Sequence, residues 1–485
     1  MRVLKDLKPE KVFQYFEEIC AIPHGSGNLQ MITEYFIKFA QDRNLRYYQD
    51  DNCNVVIYKD AAPGYKNAPV VILQGHSDMV AEKTPDSQHD FSIDGLKLMI
   101  DGDYITADGT TLGGDDGIAV AYMLAILDDN TLKHPALECV FTSDEEIGLL
   151  GAKSLDTSVL KGKYLLNMDS EEEGYLWISC AGGLRSECNI PVEYVEAEGE
   201  VVQVVIDGLI GGHSGAEIDK IRANANKLMG RFLFELGKTV DFTIAQLEGG
   251  TKDNAITRQC RAVLVVDSEA KNALQEVSQE FQKNLRKEYS GSDAGITVHV
   301  AYQGIKEVQA LSMMSKEKIV FFLMNVPYGV EKMSGNIEGL VETSCNLGIL
   351  SLRKEYLLVS NSIRSSVGSA KWALSAKIGY LTEFLGGDYY EGGDYPAWEY
   401  KEESLLRDLM VKVYTELFGT APNVKAIHAG LECGLFYDKI PGLDCVSFGP
   451  SMKDIHTTEE CLCISSAARM WEYLVKVLES IKDTL

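Results

Sequence analysis

Short apolar segments with the length of β-strands alternate with helix-like segments through the first third of the chain, and this alternation constrains the fold most. The strand-like segments are 54–58, 69–73, 138–141 and 164–168, and a helix-like segment runs from Gly117 to about Leu127. Such alternation is typical of α/β folds with an open, largely parallel sheet flanked by helices. Functional residues in these sheets gather just beyond the carboxyl ends of the strands. Polar clusters at those positions are therefore candidates for a site.

The pattern changes after Pro191, where strands and helices follow one another in a different order. Strand-like segments at 201–206 and 261–266 are mixed with helix-like segments at 222–236 and 270–287. A stretch rich in glycine and tyrosine near residues 391–396 marks a plausible second boundary, because a helical pattern follows it. The sequence thus predicts a discontinuous α/β domain, residues 1–190 and 391–485, interrupted by an inserted α+β domain, residues 191–390.

Composition limits the classes of function and the compartment. The 485 residues are 45% hydrophobic, which is enough for a large buried core. The 46 basic and 72 acidic residues give a net charge of -26, which opposes binding to nucleic acid or to an anionic membrane. The longest apolar stretch, 118–127, is too short to span a membrane, and the start of the chain lacks an apolar signal core. We therefore expect a cytoplasmic protein whose eleven cysteines, none in a CxxC pair, form no disulfides.

His76 and Asp78 follow directly after an apolar strand-like segment. The period of two along a strand directs both side chains to the same side. A histidine that binds a metal needs an acceptor for its second ring nitrogen, and an aspartate two residues later can supply one. A histidine that is only hydrogen-bonded at the end of a strand would give the same pattern.

Three further segments bring acidic side chains to similar positions. Asp115 and Asp116 lie between a glycine pair and a helix, Glu145 and Glu146 follow a strand, and Asp169 follows another. Helix caps or solvated charges would explain each segment taken alone. Together with His76 and the late His456, however, these carboxylates form a suitable ligand set for two divalent metals. Mixed imidazole and carboxylate ligands favour zinc, cobalt or manganese over copper or calcium.

The order of these segments resembles a known enzyme family. The matching motifs are, in order, GHSDMV, TLGGDDGIAVA, TSDEEIGLLGA, LLNMDSEEEG, GGHSG, GGTKDNAITR and HTTEE. They are similar to those of the di-metal metallopeptidases and deacylases that include aminoacylase and carboxypeptidase G. Within that family, the segments ICAIPHGSGN, DSEEEG, IRSSV and IHAGLECG resemble the aminoacyl-histidine dipeptidases, the carnosine-type cytosolic dipeptidases of bacteria.

The resemblance implies a role for each candidate in a two-metal centre. Asp115 would bridge the metals, most plausibly Zn²⁺ with Co²⁺ or Mn²⁺ as alternatives. The remaining ligands would be His76 and Asp169 at one metal and Glu146 and His456 at the other. Glu145 would be the general base for a metal-bridging hydroxide, and Asp78 would hold His76 in place.

The same resemblance implies substrate contacts in the inserted domain, which would be a lid and dimerisation domain. His213 resembles a lid histidine that reaches the partner's site in dimeric members, and Asn254 resembles a second lid contact. Arg364 would bind a substrate carboxylate in bidentate fashion. Without the resemblance, His213 reads as a turn histidine and Arg364 as a surface arginine.

The resulting hypothesis is a homodimeric metal-dependent dipeptidase that cleaves unblocked dipeptides, preferentially Xaa-His including β-alanyl-histidine. Two alternatives stay open: a related tripeptidase or N-acyl-amino-acid deacylase, and a catalytically silent relative that binds peptides. An intact Glu145 beside a full ligand set argues against the silent relative. The sequence contains neither a GxSxG elbow nor a P-loop, so serine hydrolases and nucleotide-driven enzymes lack their motifs.

Overall fold

The computed structural model of the protein describes residues 2–483 and forms two compact units. The first unit contains the chain up to Cys180, then Tyr400–Ala426 and the chain from Leu431 onward. The second unit contains Ala181–Glu399 and Ile427–Gly430. The predicted α/β class with an inserted unit is confirmed. That the first unit is catalytic and the second a lid stays a prediction.

The segment before Cys180 supplies most of the first unit. Its helices are α1 (Glu10–Cys20), α2 (Gln30–Asp42), α3 (Gly114–Asp128) and α4 (Leu150–Ser154). Its strands are β1 (Arg46–Gln49), β2 (Val55–Lys59), β3 (Val71–His76), β4 (Leu98–Asp101), β5 (Tyr104–Ala107), β6 (Leu137–Thr142), β7 (Tyr164–Asn167) and β8 (Tyr175–Cys180).

The second unit mixes long strands with four helices. Its helices are α5 (Ala225–Leu236), α6 (Lys271–Glu288), α7 (Met313–Asn325) and α8 (Gly368–Phe384). Its strands are β9 (Gly182–Pro191), β10 (Tyr194–Asp207), β11 (Gly212–His213), β12 (Phe242–Gly249), β13 (Ala255–Ile256), β14 (Cys260–Val266), β15 (Thr297–Leu311), β16 (Gly329–Met333), β17 (Val341–Leu352), β18 (Tyr356–Ser365) and β19 (Asp388–Tyr395).

The last part of the chain returns to the first unit. Its helices are α9 (Leu405–Phe418), α10 (Glu432–Lys439) and α11 (Ile464–Ser480). Its strands are β20 (Asn423–Ile427), β21 (Asp444–Ser447), β22 (Met452–Lys453) and β23 (Cys461–Cys463).

The main sheet of the first unit has eight strands in the order β1-β2-β6-β3-β7-β21-β8-β20. Its centre is parallel, since β3 pairs in parallel with β6 and β7, and β21 with β7. The outer pairs β1–β2, β2–β6 and β21–β8 are antiparallel. Every residue of β2, β3 and β6 is buried, because helices cover both faces of a parallel sheet.

Apolar packing fixes the sheet against its helices. All side chains of α3 from Ile118 to Leu127 are buried, which is typical of a helix that is apolar on every side. The ring of Phe36 on α2 stacks on that of Phe141 on β6, with centroids 4.5 Å apart. The register pairs His76 with Thr142 and Gln74 with Asn167, so β3, β6 and β7 end at the same edge of the sheet.

The second unit contains a nine-stranded antiparallel sheet in the order β15-β10-β14-β12-β17-β18-β9-β19, with β16 beside β17. The glycine- and tyrosine-rich stretch near residue 391 is part of β19, which pairs with β9. This stretch therefore lies inside the second unit, and the chain leaves that unit after Glu399.

The composition predicted cysteines without disulfides and a chain without a membrane span. Within the described part of the chain, none of the eleven cysteines is in a disulfide, and nine of them are buried. Among residues 2–483, the structure contains no helix that is both long and apolar enough to cross a membrane.

Candidate metal centre

Five segments of the first unit bring the predicted ligands together. His76 is the last residue of β3, Asp169 lies two residues after β7, and Glu146 follows β6. Asp115 lies in the first turn of α3, and His456 follows the short strand β22. The parallel strands end at the same edge, so the chain directions alone bring His76, Asp169 and Glu146 to that edge.

Asp115 occupies the middle of the cluster. Its Oδ1 atom lies 2.9 Å from Nε2 of His76, and its Oδ2 atom lies 3.2 Å from Nε2 of His456. Its backbone is not helical, with φ -85° and ψ 105°, although the residue lies in the first turn of α3. The two oxygens of one carboxylate therefore face two different imidazoles.

Each histidine also approaches a second carboxylate. Nε2 of His76 lies 3.6 Å from Oδ1 of Asp169, and Nε2 of His456 lies 3.0 Å from Oε1 of Glu146. Candidate ligand atoms within 4.8 Å of one another form three groups among the described residues: His76, Asp116 and Asp169; His76, Glu145 and Glu146; Asp115, Glu146 and His456. Together these groups hold five carboxyl groups and two imidazoles. So many carboxyl groups close together repel one another when ionised, and bound cations would offset their negative charge.

Asp78 connects this cluster to its surroundings. Its carboxylate accepts hydrogen bonds from the backbone N–H groups of Glu145, over 3.0 Å, and Glu146, over 3.3 Å. It also accepts one from the hydroxyl of Ser26, over 2.8 Å. Nδ1 of His76 lies 3.5 Å from this carboxylate but only 3.0 Å from the backbone carbonyl of Asp78. The carbonyl is thus the nearer acceptor for His76, and the carboxylate holds the loop that carries Glu145 and Glu146.

Burial and close charges shift the protonation of these groups. Burial raises the pKa of Glu145 to about 9, and the nearby carboxylates of Asp169 and Glu146 add to this effect. Burial likewise raises the pKa of Asp169 to about 7. Hydrogen bonds to Asp115 and Glu146 raise the pKa of His456 to about 10. Burial opposes ionisation of Asp115, but hydrogen bonds from His456 and His76 hold its pKa well below the usual range.

Known proteins are similar to this chain over almost its whole length. The chain is 35% identical over 483 residues to the cytosol non-specific dipeptidase of Escherichia coli, covering 99% of each chain. It is also 35% identical to the crystal structure of the aminoacylhistidine dipeptidase from Vibrio alginolyticus, with a TM-score of 0.94 over 98% of both chains. The chain belongs to the M20 family of metallopeptidases. The family model of the M20 peptidase dimerisation domain matches residues 206–293.

A more distant structure has the same fold as this M20 metallopeptidase. The aminopeptidase PepT from Bacillus cereus is 16% identical, with a TM-score of 0.56, and the match covers 98% of this chain and 99% of that chain. Members of the family hydrolyse peptide bonds with the help of metal ions, so the acidic cluster is the natural candidate for the active centre of this M20 metallopeptidase.

The predicted substrate contacts all lie in the second unit. Nδ1 of His213 accepts hydrogen bonds from the backbone N–H groups of Gly215 and Ala216, both over 3.2 Å, so its proton lies on Nε2. The backbone carbonyl of Asn254 accepts a hydrogen bond from the N–H of Ser214 over 2.9 Å, next to His213.

Arg364 lies on β18 of the same unit and is 9% exposed, so it is not the surface arginine that the sequence alone allowed. Its Nη1 atom donates to the hydroxyl of Tyr395 over 2.9 Å. A Cβ atom at Gly215 would lie 3.2 Å from Cζ of Arg364 and 3.0 Å from Cε1 of His213. The structure thus brings His213 and Arg364 together around Gly215.

The sequence analysis assigned no individual role to several residues near the metal centre. Oδ2 of the fully buried Asp116 accepts the backbone N–H of His76 over 3.2 Å, whereas the sequence suggested only a helix start. Ser26 contacts Asp78, and Glu460 contacts the loop before Asp115. Each belongs to a motif that carried the resemblance, PHGSGN, GGDDG or HTTEE. Their position in those motifs was the available signal.

Proposed function

We propose that this M20 metallopeptidase is a dipeptidase that cleaves unblocked dipeptides and prefers Xaa-His substrates, including β-alanyl-histidine. The observation that carries the proposal is the position of Asp115, whose two oxygens face His76 and His456. One carboxylate between two ligand groups is the arrangement that a two-metal hydrolase requires. Its relatives are described as a non-specific dipeptidase and an aminoacylhistidine dipeptidase, which supports dipeptides as the substrate class.

Two divalent cations are the proposed cofactors, with Zn²⁺ as the first choice and Co²⁺ or Mn²⁺ as alternatives. His76, Asp115 and Asp169 would hold one ion, and Asp115, Glu146 and His456 the other. The short distances from Nε2 of His76 to Asp115 and Asp169, and from Nε2 of His456 to Asp115 and Glu146, support this assignment. Bound divalent ions act as Lewis acids on a peptide carbonyl and lower the pKa of water.

Glu145 is the proposed general base. Its backbone N–H is fixed by Asp78, and the residue is half-buried beside the ligand groups. A carboxyl group whose pKa burial has raised to about 9 binds a proton readily, and nearby cations would bring that pKa down towards neutrality. Glu145 would then take a proton from the attacking water and deliver it to the leaving amine.

The second unit would hold the substrate's carboxyl end. Arg364 is buried and fixed by Tyr395, and a fixed guanidinium binds a carboxylate with two parallel hydrogen bonds. His213 offers the N–H of Nε2 beside Arg364, and Asn254 flanks His213. We assign all three residues to substrate binding. The match to a peptidase dimerisation domain supports a homodimer through this unit, and the E. coli relative's description supports a cytosolic location.

A substrate panel tests the proposal. The purified protein is loaded with Zn²⁺, Co²⁺ or Mn²⁺ and given Xaa-His dipeptides, other dipeptides, matched tripeptides and N-acetylated dipeptides. We expect hydrolysis of unblocked dipeptides only, fastest for Xaa-His, and no hydrolysis after chelation. Equal rates for all dipeptides would remove the histidine preference. Cleavage of tripeptides instead would indicate a tripeptidase, and cleavage of N-acetylated substrates would indicate an N-acyl-amino-acid deacylase.

A further inference from the structure

The carboxylate of Glu460 binds four consecutive backbone N–H groups. Its Oε2 atom accepts hydrogen bonds from Leu112, over 2.7 Å, and Gly113, over 3.0 Å. Its Oε1 atom accepts from Gly114, over 2.8 Å, and from Asp115, over 3.3 Å. Glu460 is only 3% exposed, so these hydrogen bonds are shielded from water.

The two glycines allow the loop to wrap around this carboxylate. Gly113 has a φ of 67°, in the left-handed region that favours glycine. A Cβ atom at Gly114 would lie 3.3 Å from Oε1 of Glu460 and 3.2 Å from Sδ of Met452. Successive N–H groups that converge in this way form a concave site for an anion. Here a side chain of the protein itself fills that site.

Glu460 also belongs to the loop that carries His456. Its backbone N–H donates to the carbonyl of Thr457 over 3.2 Å, and the Thr457 hydroxyl donates to the carbonyl of Asp454 over 2.7 Å. His456 has a left-handed φ of 63°, so the turn is tight. One glutamate therefore links the loop before Asp115 to the loop of His456. The side chains of these two loops meet where Nε2 of His456 lies 3.2 Å from Oδ2 of Asp115.

We propose that Glu460 is a positioning residue that holds Asp115 and His456 at the separation needed for the second metal ion. It acts through the backbone of residues 112–115. This role rests on the proposed two-metal centre. The group formed by Asp115, Glu146 and His456 depends on both loops, whereas His76 and Asp169 are fixed by the strands β3 and β7. Loss of the four hydrogen bonds should therefore weaken the second ion more than the first.

The variant E460Q tests this role because glutamine keeps the size but replaces one accepting oxygen with an NH₂ group. At least one pair of N–H groups then loses its acceptor. We expect E460Q to bind the second Co²⁺ ion about 10- to 100-fold more weakly than the wild type, as for other residues that orient metal ligands, and to lose less affinity for the first ion. Calorimetric titration gives the two affinities, and the visible absorption of Co²⁺ reports the altered ligand geometry.

E138Q is a matched control within the same unit. Glu138 is also 3% exposed and accepts backbone hydrogen bonds, from Lys161 over 2.9 Å and Gly162 over 3.0 Å. It lies near the amino end of β6, whereas the metal ligands lie beyond the carboxyl ends. Both variants should lower the melting temperature of the chelated protein, but only E460Q should change Co²⁺ affinity and absorption.

E460D keeps a charged acceptor and covers the case in which E460Q does not fold. It should regain part of the lost affinity, and its absorption should lie between those of E460Q and the wild type. Wild-type Co²⁺ binding by E460Q would overturn the role of Glu460. Equal losses of Co²⁺ affinity in E460Q and E138Q would do the same, as would equal losses in E460D and E138Q if E460Q does not fold. A wild-type protein that binds two Co²⁺ ions but cleaves no dipeptide would overturn the proposed function instead. A wild type that binds fewer than two ions would overturn the metal centre and this role together.

Discussion

Nδ1 of His76 lies 3.0 Å from the backbone carbonyl of Asp78 and 3.5 Å from the carboxylate of the same residue. The carbonyl, which every residue type retains, is therefore the closer acceptor that fixes the imidazole and leaves Nε2 free for a metal ion. The carboxylate is left to bind the backbone of Glu145 and Glu146 and the hydroxyl of Ser26. This division of roles separates the orientation of the His76 imidazole from that of the loop that carries Glu145 and Glu146.

D78N should accordingly impair catalysis more than metal binding. The amide keeps one oxygen but loses an acceptor for the N–H groups of Glu145 and Glu146, so the base is held less firmly. We expect kcat to fall about 10-fold or more, an effect typical of residues that orient a centre, with two metal ions still bound. Steady-state kinetics and metal analysis measure both effects. Loss of one metal ion would instead contradict this division of roles, because it would show that the carboxylate is needed to place a metal ligand.

E145Q should fold and bind both metal ions but lose nearly all turnover. A glutamine cannot take a proton from water, and removal of a general base costs about 10²- to 10⁴-fold in rate. The measurement is kcat on an Xaa-His dipeptide with the metal content determined in parallel. E34Q is the control, since Glu34 is an exposed glutamate on α2. Retained turnover in E145Q would remove Glu145 as the base.

Metal binding should release protons at pH 7. In the absence of a cation, burial raises the pKa of Glu145 to about 9, and hydrogen bonds to Asp115 and Glu146 raise that of His456 to about 10, so both carry a proton at neutral pH. A metal ion requires a neutral imidazole and displaces these protons, so affinity should increase as the pH rises from 7 towards 10. Calorimetry in two buffers with different ionisation enthalpies counts the protons. Equal apparent enthalpies in both buffers would contradict the prediction.

R364K should raise KM much more than it changes metal content. Lysine keeps the charge but cannot form the two parallel hydrogen bonds of a guanidinium, so we expect KM to rise about 10- to 100-fold. The effect should vanish on a dipeptide amide, which lacks the terminal carboxylate and should be a poor substrate for the wild type. K377R is a control in the same unit, since the exposed Lys377 on α8 pairs with Glu331 over 3.4 Å. An equal KM increase on acid and amide substrates would argue against carboxylate binding by Arg364.

The sequence was sufficient to predict the fold class and to choose side chains that the structure brings together. The reason is physical: apolar parallel strands must end at the same edge, so polar residues directly after β3, β6 and β7 have to meet. Asp115 and His456 do not follow from that rule. Both were candidate ligands by residue type, only the family resemblance assigned their roles, and the structure brings both of them to the same cluster.

The contacts that hold the metal ligands in place could not be predicted from the sequence. Glu460 is the last residue of HTTEE, and nothing in that motif distinguishes a glutamate that binds four N–H groups from a solvated one. Its partners lie in the loop 112–115, more than 340 residues earlier in the chain. The preference of His76 for a carbonyl over a carboxylate depends on a difference of half an ångström, from 3.0 Å to 3.5 Å, which no residue pattern encodes.

The most direct test of a two-metal dipeptidase measures dipeptide hydrolysis while metal is returned to the chelated protein. Zn²⁺ is added stepwise, and the release of histidine from an unblocked Xaa-His dipeptide is measured at each step. We predict that activity rises until two ions are bound per chain and that the matched tripeptide stays intact throughout. Full activity with one bound ion, or no histidine release at any metal content, would contradict the two-metal dipeptidase.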